Sequence, residues 1–209
     1  AGRAPLLDLT LLRGTRGFAN GVLIGTLYFT GFTGVLLVVT IFLQEGMGFT
    51  PLQAGLITTP FAVGTTVMSP IAGRLVSRVG RRLTVMAIAV MMSGLIVLWI
   101  ALPSSVDQFR WWVVAAPLLL AGIGGGAVIS PNQTLSLAAV PPRMGGAAGA
   151  VVQTGQRIGS ALGAAVLVTA YQVGHAGGPI AGLEVTLAVS LAILLVALAA
   201  AYWDFRKGN

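Results

Sequence analysis

The sequence has 209 residues, of which 56% are hydrophobic and only 8% are charged, whereas soluble domains carry about 25% charged residues. A soluble protein of this size needs a polar shell, which so few charges cannot supply. The formal net charge of +7 does not indicate a nucleic-acid partner, because the basic residues lie between apolar stretches and form no stripe with interleaved aromatics. The composition therefore predicts an integral membrane protein with the lipid bilayer as its surroundings.

Catalytic and metal-binding patterns are missing from the sequence. It contains no cysteine and a single histidine, His175, so it offers no thiol or histidine cluster for a metal. It has no phosphate-binding loop of glycines followed by Lys-Ser or Lys-Thr, and no Ser-His-Asp set. We therefore predict no cofactor, no metal site and no enzymatic activity.

Six apolar stretches are long enough to cross the roughly 30 Å hydrocarbon core of a bilayer, which takes about 20 residues of helix. In chain order we expect these spans at residues 18–43, 52–76, 83–102, 112–137, 146–171 and 183–203. The sequence thus predicts an all-α membrane fold of six transmembrane helices. A lead-in segment at residues 1–17 precedes them and a tail at residues 204–209 follows them.

The basic residues are distributed unequally between the loops. Those expected on one side are Arg3, Arg13, Arg16, Arg74, Arg78, Arg81, Arg82, Arg143, Arg206 and Lys207, and only Arg110 falls in a loop on the other side. Cytoplasmic loops of membrane proteins carry the excess of Lys and Arg. We therefore predict a multi-pass protein of the cell (inner) membrane with both termini in the cytoplasm and with Asp107 and His175 outside.

The spans differ in polarity. The third and sixth are almost wholly apolar and are predicted to face lipid, whereas the other four carry Gly, Thr, Asn, Gln and Pro and are predicted to be buried or to line a cavity. Glycines at four-residue spacing predict close helix packing. They are Gly17, Gly21 and Gly25 in the first span and Gly155, Gly159 and Gly163 in the fifth.

The loop after the second span reads Gly73-Arg74-Leu75-Val76-Ser77-Arg78-Val79-Gly80-Arg81-Arg82. It resembles the signature loop of the major facilitator superfamily, Gly-x-x-x-Asp-Arg-x-Gly-Arg-Arg, which joins the second and third helices of each six-helix half. Ser77 stands where that family usually has Asp. The alternative is that these arginines are only a topology signal.

Two further stretches carry the resemblance. Gly122-Ile123-Gly124-Gly125-Gly126, followed by Ser130-Pro131-Asn132, resembles the glycine-rich fourth helix of the family's halves. Arg143-Met144-Gly145-Gly146-Ala147, with Gln156-Arg157-Ile158-Gly159-Ser160-Ala161-Leu162-Gly163, resembles the fifth helix in the second half of fourteen-helix drug:proton antiporters.

The resemblance implies two six-helix halves that rock about a central cavity. This chain, which begins without Met, would be the C-terminal half and would have the N-terminal half as its partner. The first and fourth helices would line the cavity, the second and fifth would meet the other half, and the third and sixth would face lipid. The gating loop would comprise Gly73, Ser77, Arg78, Gly80 and Arg81, with Arg78 and Arg81 holding the halves together and Gly80 in a tight turn.

A substrate site is expected among aromatic, amide and cationic residues of the spans. The candidates are Asn20, Phe29, Phe32, Asn132, Gln133, Gln153 and Arg157. Such a lining suits small amphipathic organic molecules, which are often cationic. For each residue the alternative is an interhelical hydrogen bond or packing.

Arg157 is the only charge deep inside a span, and it either pairs with a carboxylate of the other half or donates to backbone carbonyls near Pro131. Asp8, Glu45, Asp107, Glu184 and Asp204 fall at span ends or in loops. Proton-coupling acids are therefore expected mainly in the other half, with Glu45 as the local candidate.

The function expected from these features is proton-coupled export of amphipathic compounds or drugs by one half of a secondary transporter. Two alternatives remain. One is a metabolite or sugar permease of the same fold, because a fold does not determine a substrate. The other is a membrane interaction or sensor module that assembles through its glycine stripes.

Overall fold

The computed structural model describes residues 17–103, 108–138 and 140–207, and in these ranges the chain forms six long helices and no strand. The helices are α1 (Phe18–Ile41), α2 (Pro51–Val79), α3 (Arg82–Ala101), α4 (Trp112–Leu137), α5 (Gly145–His175) and α6 (Pro179–Lys207). A π-helical turn, Phe42–Gly46, extends α1, and a 3-10 turn, Pro142–Met144, leads into α5. Most of the lead-in segment, and Asp107, lie outside the described residues.

Each predicted span corresponds to one helix, but three helices extend past the predicted limits. The helix α2 ends at Val79, so most of the signature loop is helical and only Gly80 and Arg81 separate α2 from α3. The helix α5 continues to His175, and α6 continues to Lys207. The predicted tail therefore begins inside α6. Hydropathy ends a span at its last apolar residue, whereas a helix continues wherever its backbone hydrogen bonds do.

Five of the six helices are long and apolar enough to cross a membrane, namely α1 with its π turn, α2, α3, α4 and α6. The helix α5 has 31 residues but is not among them; its sequence includes Gln153, Gln156 and Arg157. The predicted span at residues 146–171, which corresponds to α5, is therefore the least apolar of the six. Within a membrane its polar residues need protein neighbours or a cavity.

The helices pack as two groups of three. The helix α4 packs between α2 and α3, and α1 packs between α5 and α6, while contacts of α1 with α4 and of α3 with α6 join the groups. The first three helices correspond to the last three in the order α1 to α4, α2 to α5 and α3 to α6. Under this correspondence the packed pair α1–α5 matches the pair α4–α2, and the pair α1–α6 matches the pair α4–α3. This correspondence is typical of a three-helix repeat used twice in a membrane protein.

Glycines bring the backbones of these helices together. Gly155, Gly159 and Gly163 of α5 lie against Thr26 and Thr30 of α1, where any side chain would overlap α1 atoms. The glycines of α1 face other neighbours: Gly21 lies against Ser136, Gly25 against Asn132 and Gly17 against Arg81. Both predicted glycine stripes are thus confirmed as packing surfaces.

The exposure of the helices differs in part from the polarity prediction. In their most apolar stretches α4 is 67% buried but α2 only 17%, which is less than α3 at 44% and α6 at 33%. The exposed side chains of α2 follow a helical stripe, and α5 has a similar one. These stripes consist of Leu52, Leu56, Val63, Val67 and Ile71 on α2 and of Ile158, Leu162, Val166 and Val173 on α5. The bundle therefore has apolar faces on α2 and α5 besides those of α3 and α6.

Candidate functional site

Two of the predicted aromatic residues belong to a chain of rings between α1 and α2. The ring of Phe32 stacks on that of Phe61, with centroids 4.7 Å apart, and Tyr28 stacks on Phe32 at 6.0 Å. Phe29 meets Tyr28 edge to face at 5.3 Å. Tyr28 and Phe32 are buried, while Phe29 and Phe61 are partly exposed. The rings thus form a wall whose two outer members are accessible.

A groove of about 290 Å³ adjoins this wall between α1 and α2. The described residues that line it are Leu36, Thr40, Gly55, Thr58, Thr59, Phe61 and Ala62, none of which is charged. Its three threonines donate to carbonyl oxygens of their own helices: Thr40 to Leu36 at 2.8 Å, Thr58 to Ala54 at 3.0 Å and Thr59 to Gly55 at 2.8 Å. Their hydroxyl protons are used, so the groove suits an apolar body better than a hydrogen-bond acceptor.

The predicted amides differ from one another in burial and contacts. Asn132 is 5% exposed, and its Nδ2 donates to the Gly21 carbonyl oxygen at 3.0 Å, which joins α4 to α1. Gln133, the next residue, is partly exposed, and Gln153 on α5 is exposed. The structure therefore gives Asn132 a contact between helices and leaves the two glutamines accessible.

Arg157 is exposed in the middle of α5, about 18 Å from the start of that helix at roughly 1.5 Å per residue. Its neighbour Gln156 is buried, and Ser160 on the adjacent turn lies 3.3 Å from the Thr33 hydroxyl of α1. Arg157 makes no ion pair and no hydrogen bond with any described residue. In particular, no bond to the backbone of α4 near Pro131 is present there.

Asn20 lies at the end of the bundle where α1, α3 and α5 begin and α2, α4 and α6 end, which we call the basic end. Its Nδ2 donates to Oδ1 of Asp204 at 2.7 Å, and Arg81 forms an ion pair with Oδ2 of the same carboxylate. Asp204 is only 7% exposed. From the sequence, this acid was predicted to begin the tail after the last span. The structure instead buries it, because the buried stripe of Leu194, Ala197 and Ala201 continues to position 204.

The residues of the predicted gating loop have distinct surroundings. Gly80 has φ +61° and confirms the predicted turn, since this conformation favours glycine. Ser77 is exposed and donates to the Arg74 carbonyl oxygen at 3.1 Å, while Arg78 is exposed without a partner in the described ranges. Gly73 lies in α2 beside Ser130. The guanidinium of Arg82 lies over the Phe205 ring, 5.1 Å from its centroid.

Comparison with known proteins identifies the family of this chain. Residues 21–208 match the model of the Major Facilitator Superfamily. The chain is 35% identical to the multidrug resistance protein Stp of Mycobacterium tuberculosis, with 78% of this chain and 29% of the relative aligned. It is 30% identical to a probable actinorhodin transporter of Streptomyces coelicolor, with 81% and 29% aligned. It is 31% identical to the puromycin resistance protein pur8 of Streptomyces alboniger, with 79% and 36% aligned.

The matched segment is about a third of the length of each of these relatives. Six helices in two groups of three, with the signature-like sequence at the end of α2 and the turn into α3, agree with one half of such a transporter. The chain belongs to the major facilitator superfamily, in which it forms a multi-pass, six-helix transmembrane half.

Proposed function

We propose that this chain is the C-terminal half of a secondary transporter that exports amphipathic organic compounds in exchange for protons by alternating access. The observation that carries the proposal is the charge of Arg157, which lies in the middle of α5 and has no ion-pair or hydrogen-bond partner among the described residues. A cation at this depth in a bilayer is costly unless it meets water, an acid or a ligand. A central cavity between two transporter halves supplies all three.

Proton coupling would come from an acid of the N-terminal half that pairs with Arg157. The described carboxylates of this half, Glu45, Glu184 and Asp204, lie near helix ends, so a mid-membrane acid has to come from the partner. Protonation of that acid would release Arg157 and change which arrangement of the halves is favoured. Glu45, exposed at the end of α1, remains the local candidate for a proton-accepting group.

The substrate class follows from the groove and the ring wall. Phe61 lines the uncharged groove, and Phe29 at the other end of the ring wall is also accessible; such faces bind apolar bodies and attract cations. Phe32 would support these rings from behind, while Gln133, Gln153 and Arg157 would supply polar contacts. Asn20 and Asn132 would serve helix contacts. The words multidrug resistance, puromycin resistance and actinorhodin transporter in the names of the relatives agree with such substrates.

The N-terminal half would cover the apolar faces of α2 and α5. The protein would lie in the inner membrane of the cell, with both termini in the cytoplasm. Among the described residues, Arg74, Arg78, Arg81, Arg82, Arg143 and Arg206 belong to the basic end and only Arg110 to the opposite end. This asymmetry is typical of a cytoplasmic face.

The two alternatives have less support. A sugar or metabolite permease needs polar groups that pair with many substrate hydroxyls, whereas the threonines of the groove already donate to their own helices. An interaction module that assembles through glycine stripes would need those stripes free. Gly155, Gly159 and Gly163 are instead used against α1 within the half.

Efflux of a panel of cationic dyes from vesicles that contain the full-length protein and a proton gradient tests the proposal. We expect Arg157→Ala to abolish proton-linked efflux at normal expression, and Arg157→Lys to recover part of it, because Lys keeps the charge but lacks the planar donor fork. Arg143→Ala, which removes an exposed arginine of the basic end, is the control and should transport like the parent.

Two results would contradict the proposal. Unchanged proton-linked efflux in Arg157→Ala would remove this residue from the mechanism. Absence of dye efflux by the parent protein, together with uptake of a sugar or metabolite by the same vesicles, would favour the permease.

A further inference from the structure

Two consecutive arginines of the signature sequence contact two consecutive residues at the end of α6. Arg81 forms an ion pair with Asp204, and Arg82 lies over the ring of Phe205. Arg81 lies in the connection between α2 and α3, which belong to one group of three helices, whereas α6 belongs to the other group. The signature sequence is therefore fastened to a helix of its own half across the boundary between the groups.

The site around Asp204 is closed and polar. Both carboxylate oxygens have donors, Oδ1 from Asn20 and Oδ2 from Arg81, and the side chain is largely removed from water. Gly17 has φ +79°, and a Cβ at this position would overlap the Arg81 guanidinium. A cavity of about 10 Å³ beside the pair is lined by Thr84, Ser136 and others, which is about the smallest space that admits one water. The start of α1 is thus shaped to admit the guanidinium.

Ser77 does not supply a charge to Arg81. It stands where the family usually has Asp, and its hydroxyl donates to the Arg74 carbonyl oxygen. The anion that compensates Arg81 comes instead from a residue 123 positions later in the chain. Arg78, by contrast, is exposed and unpaired among the residues that the structure describes.

We propose that Asp204 is a positioning residue for the signature loop: it holds Arg81 within this half and thereby leaves Arg78 as the loop cation that faces the partner half. Arg81 and Arg78, which the family resemblance grouped together, then have separate roles. The role of Arg78 toward the partner half rests on the proposed function. The contact by which Asp204 holds Arg81 is independent of that function.

A double-variant cycle in the full-length protein tests the pair. Removing one member of a buried ion pair leaves an uncompensated charge, whereas removing both does not. We expect Asp204→Asn and Arg81→Gln each to lower the melting temperature by several degrees, and the combined variant to recover most of the loss. Arg78→Gln combined with Asp204→Asn is the matched control and should be additive.

Loop position is measured separately, through the labelling rate of a cysteine introduced at position 78 in a protein without other reactive cysteines. We expect Asp204→Asn to raise this rate several-fold, and the exchange of charges in Arg81→Asp with Asp204→Arg to return it toward the parent rate. A cysteine at position 143, on another loop of the basic end, should label at the same rate in all variants.

Additive melting losses for Arg81 and Asp204, or an unchanged labelling rate at position 78, would overturn the proposal. If the single variants are degraded, recovery of intact protein in the combined variant supports it, and loss in the combined variant overturns it. Neither measurement uses transport. A protein that exports no dye would therefore contradict the proposed function without affecting this test.

Discussion

The two ends of the bundle are held together by different kinds of contact. At the basic end, Asp204 binds Arg81 and Asn20, and Arg82 lies over Phe205. At the opposite end, the rings of Phe42 and Phe49 both meet the ring of Phe109, with centroids 5.6 Å and 6.1 Å apart. There Gly46 also lies against Pro179, and Gly182 against the ring of Tyr171.

This difference bears on the proposed rocking of the two transporter halves. An ion pair in a buried site is lost as a whole when one partner loses its charge or moves away, and it leaves the other partner unsatisfied. Ring packing consists of many weak contacts and is lost gradually. We therefore expect removal of a single charge at the basic end to remove the whole stabilisation by the ion pair. At the opposite end, the loss of stability should increase with the side-chain volume that is removed.

The largest expected effect is the sidedness of the two ends. Single cysteines at positions 78 and 143 should react only with a reagent that reaches the cytoplasmic side, and a cysteine at position 175 should react in intact cells with an impermeant reagent. All three positions are exposed in the structure. Labelling of position 78 from outside in intact cells would contradict the orientation, and with it the assignment of the basic end to the cytoplasm.

The next effect concerns the ring cluster of the opposite end. Phe42 is fully buried, and Phe42→Ala should destabilise the full-length protein by about 3 kcal/mol, the lower end of the range for such truncations. Phe42→Leu should cost clearly less, because it keeps most of the volume. Thermal unfolding at low and high salt gives the measurement.

The salt dependence of that result sharpens the comparison. The loss in Phe42→Ala should be the same at both salt concentrations, since no charge is involved. A loss that depends on salt, or equal losses for Ala and Leu, would show that the opposite end is not held by ring packing.

Substitution of Gly80 at the basic end should cause a smaller loss of stability, which should depend little on the size of the new side chain. The positive φ of Gly80 is strained for any other residue, while no atom of the described residues, apart from its chain neighbours, lies within 4 Å of the position that a Cβ would take. Gly80→Ala and Gly80→Leu should therefore lose a similar amount, about 1–3 kcal/mol, and both should lower transport with normal membrane insertion.

Gly145 at the same end is the matched control. It also has open space around it, but its φ of −57° is helical, so Gly145→Ala should be neutral or slightly stabilising. A much larger loss for Leu than for Ala at position 80 would mean that a neighbour fills this space in the full-length protein.

The helices could be predicted from the sequence because their signal is local. Apolar length located all six, and the four-residue glycine spacing identified the surfaces of α1 and α5 that pack. The burial of Asp204 could not be predicted in this way. Hydropathy assigns a charged residue after an apolar stretch to water, whereas its true surroundings depend on Arg81 and Asn20, both far away in the chain.

The candidate site could be predicted only in part, because some of its residues are brought together by contacts between helices. Phe29 and Phe32 were identified from their place in a polar span, but Phe61 and the threonine groove depend on how α1 and α2 approach each other. The pair Thr58-Thr59 before Pro60 was the available signal in the second span. Arg157 was identified because a charge in the middle of an apolar stretch is conspicuous without any structure.

The smallest expected effect is that of Ser77→Ala. Ser77 and Ser136 both lie at the basic end, and each donates to a backbone carbonyl oxygen of its own helix, Ser77 to Arg74 at 3.1 Å and Ser136 to Asn132 at 2.5 Å. Ser77 is exposed, so water can replace its bond, and Ser77→Ala should change stability by less than about 0.5 kcal/mol.

Ser136 is 2% exposed and serves as the comparison for that variant. Because water does not reach it, Ser136→Ala should cost about 1 kcal/mol, the usual net worth of a hydrogen bond. Melting temperatures of the two variants, measured side by side with transport rates, decide between two views of the signature loop. If Ser77→Ala loses as much stability or transport as Ser136→Ala, the position of the missing Asp still matters for the loop itself. If it stays close to the parent, position 77 contributes little to the loop, as expected when Arg81 is held by Asp204.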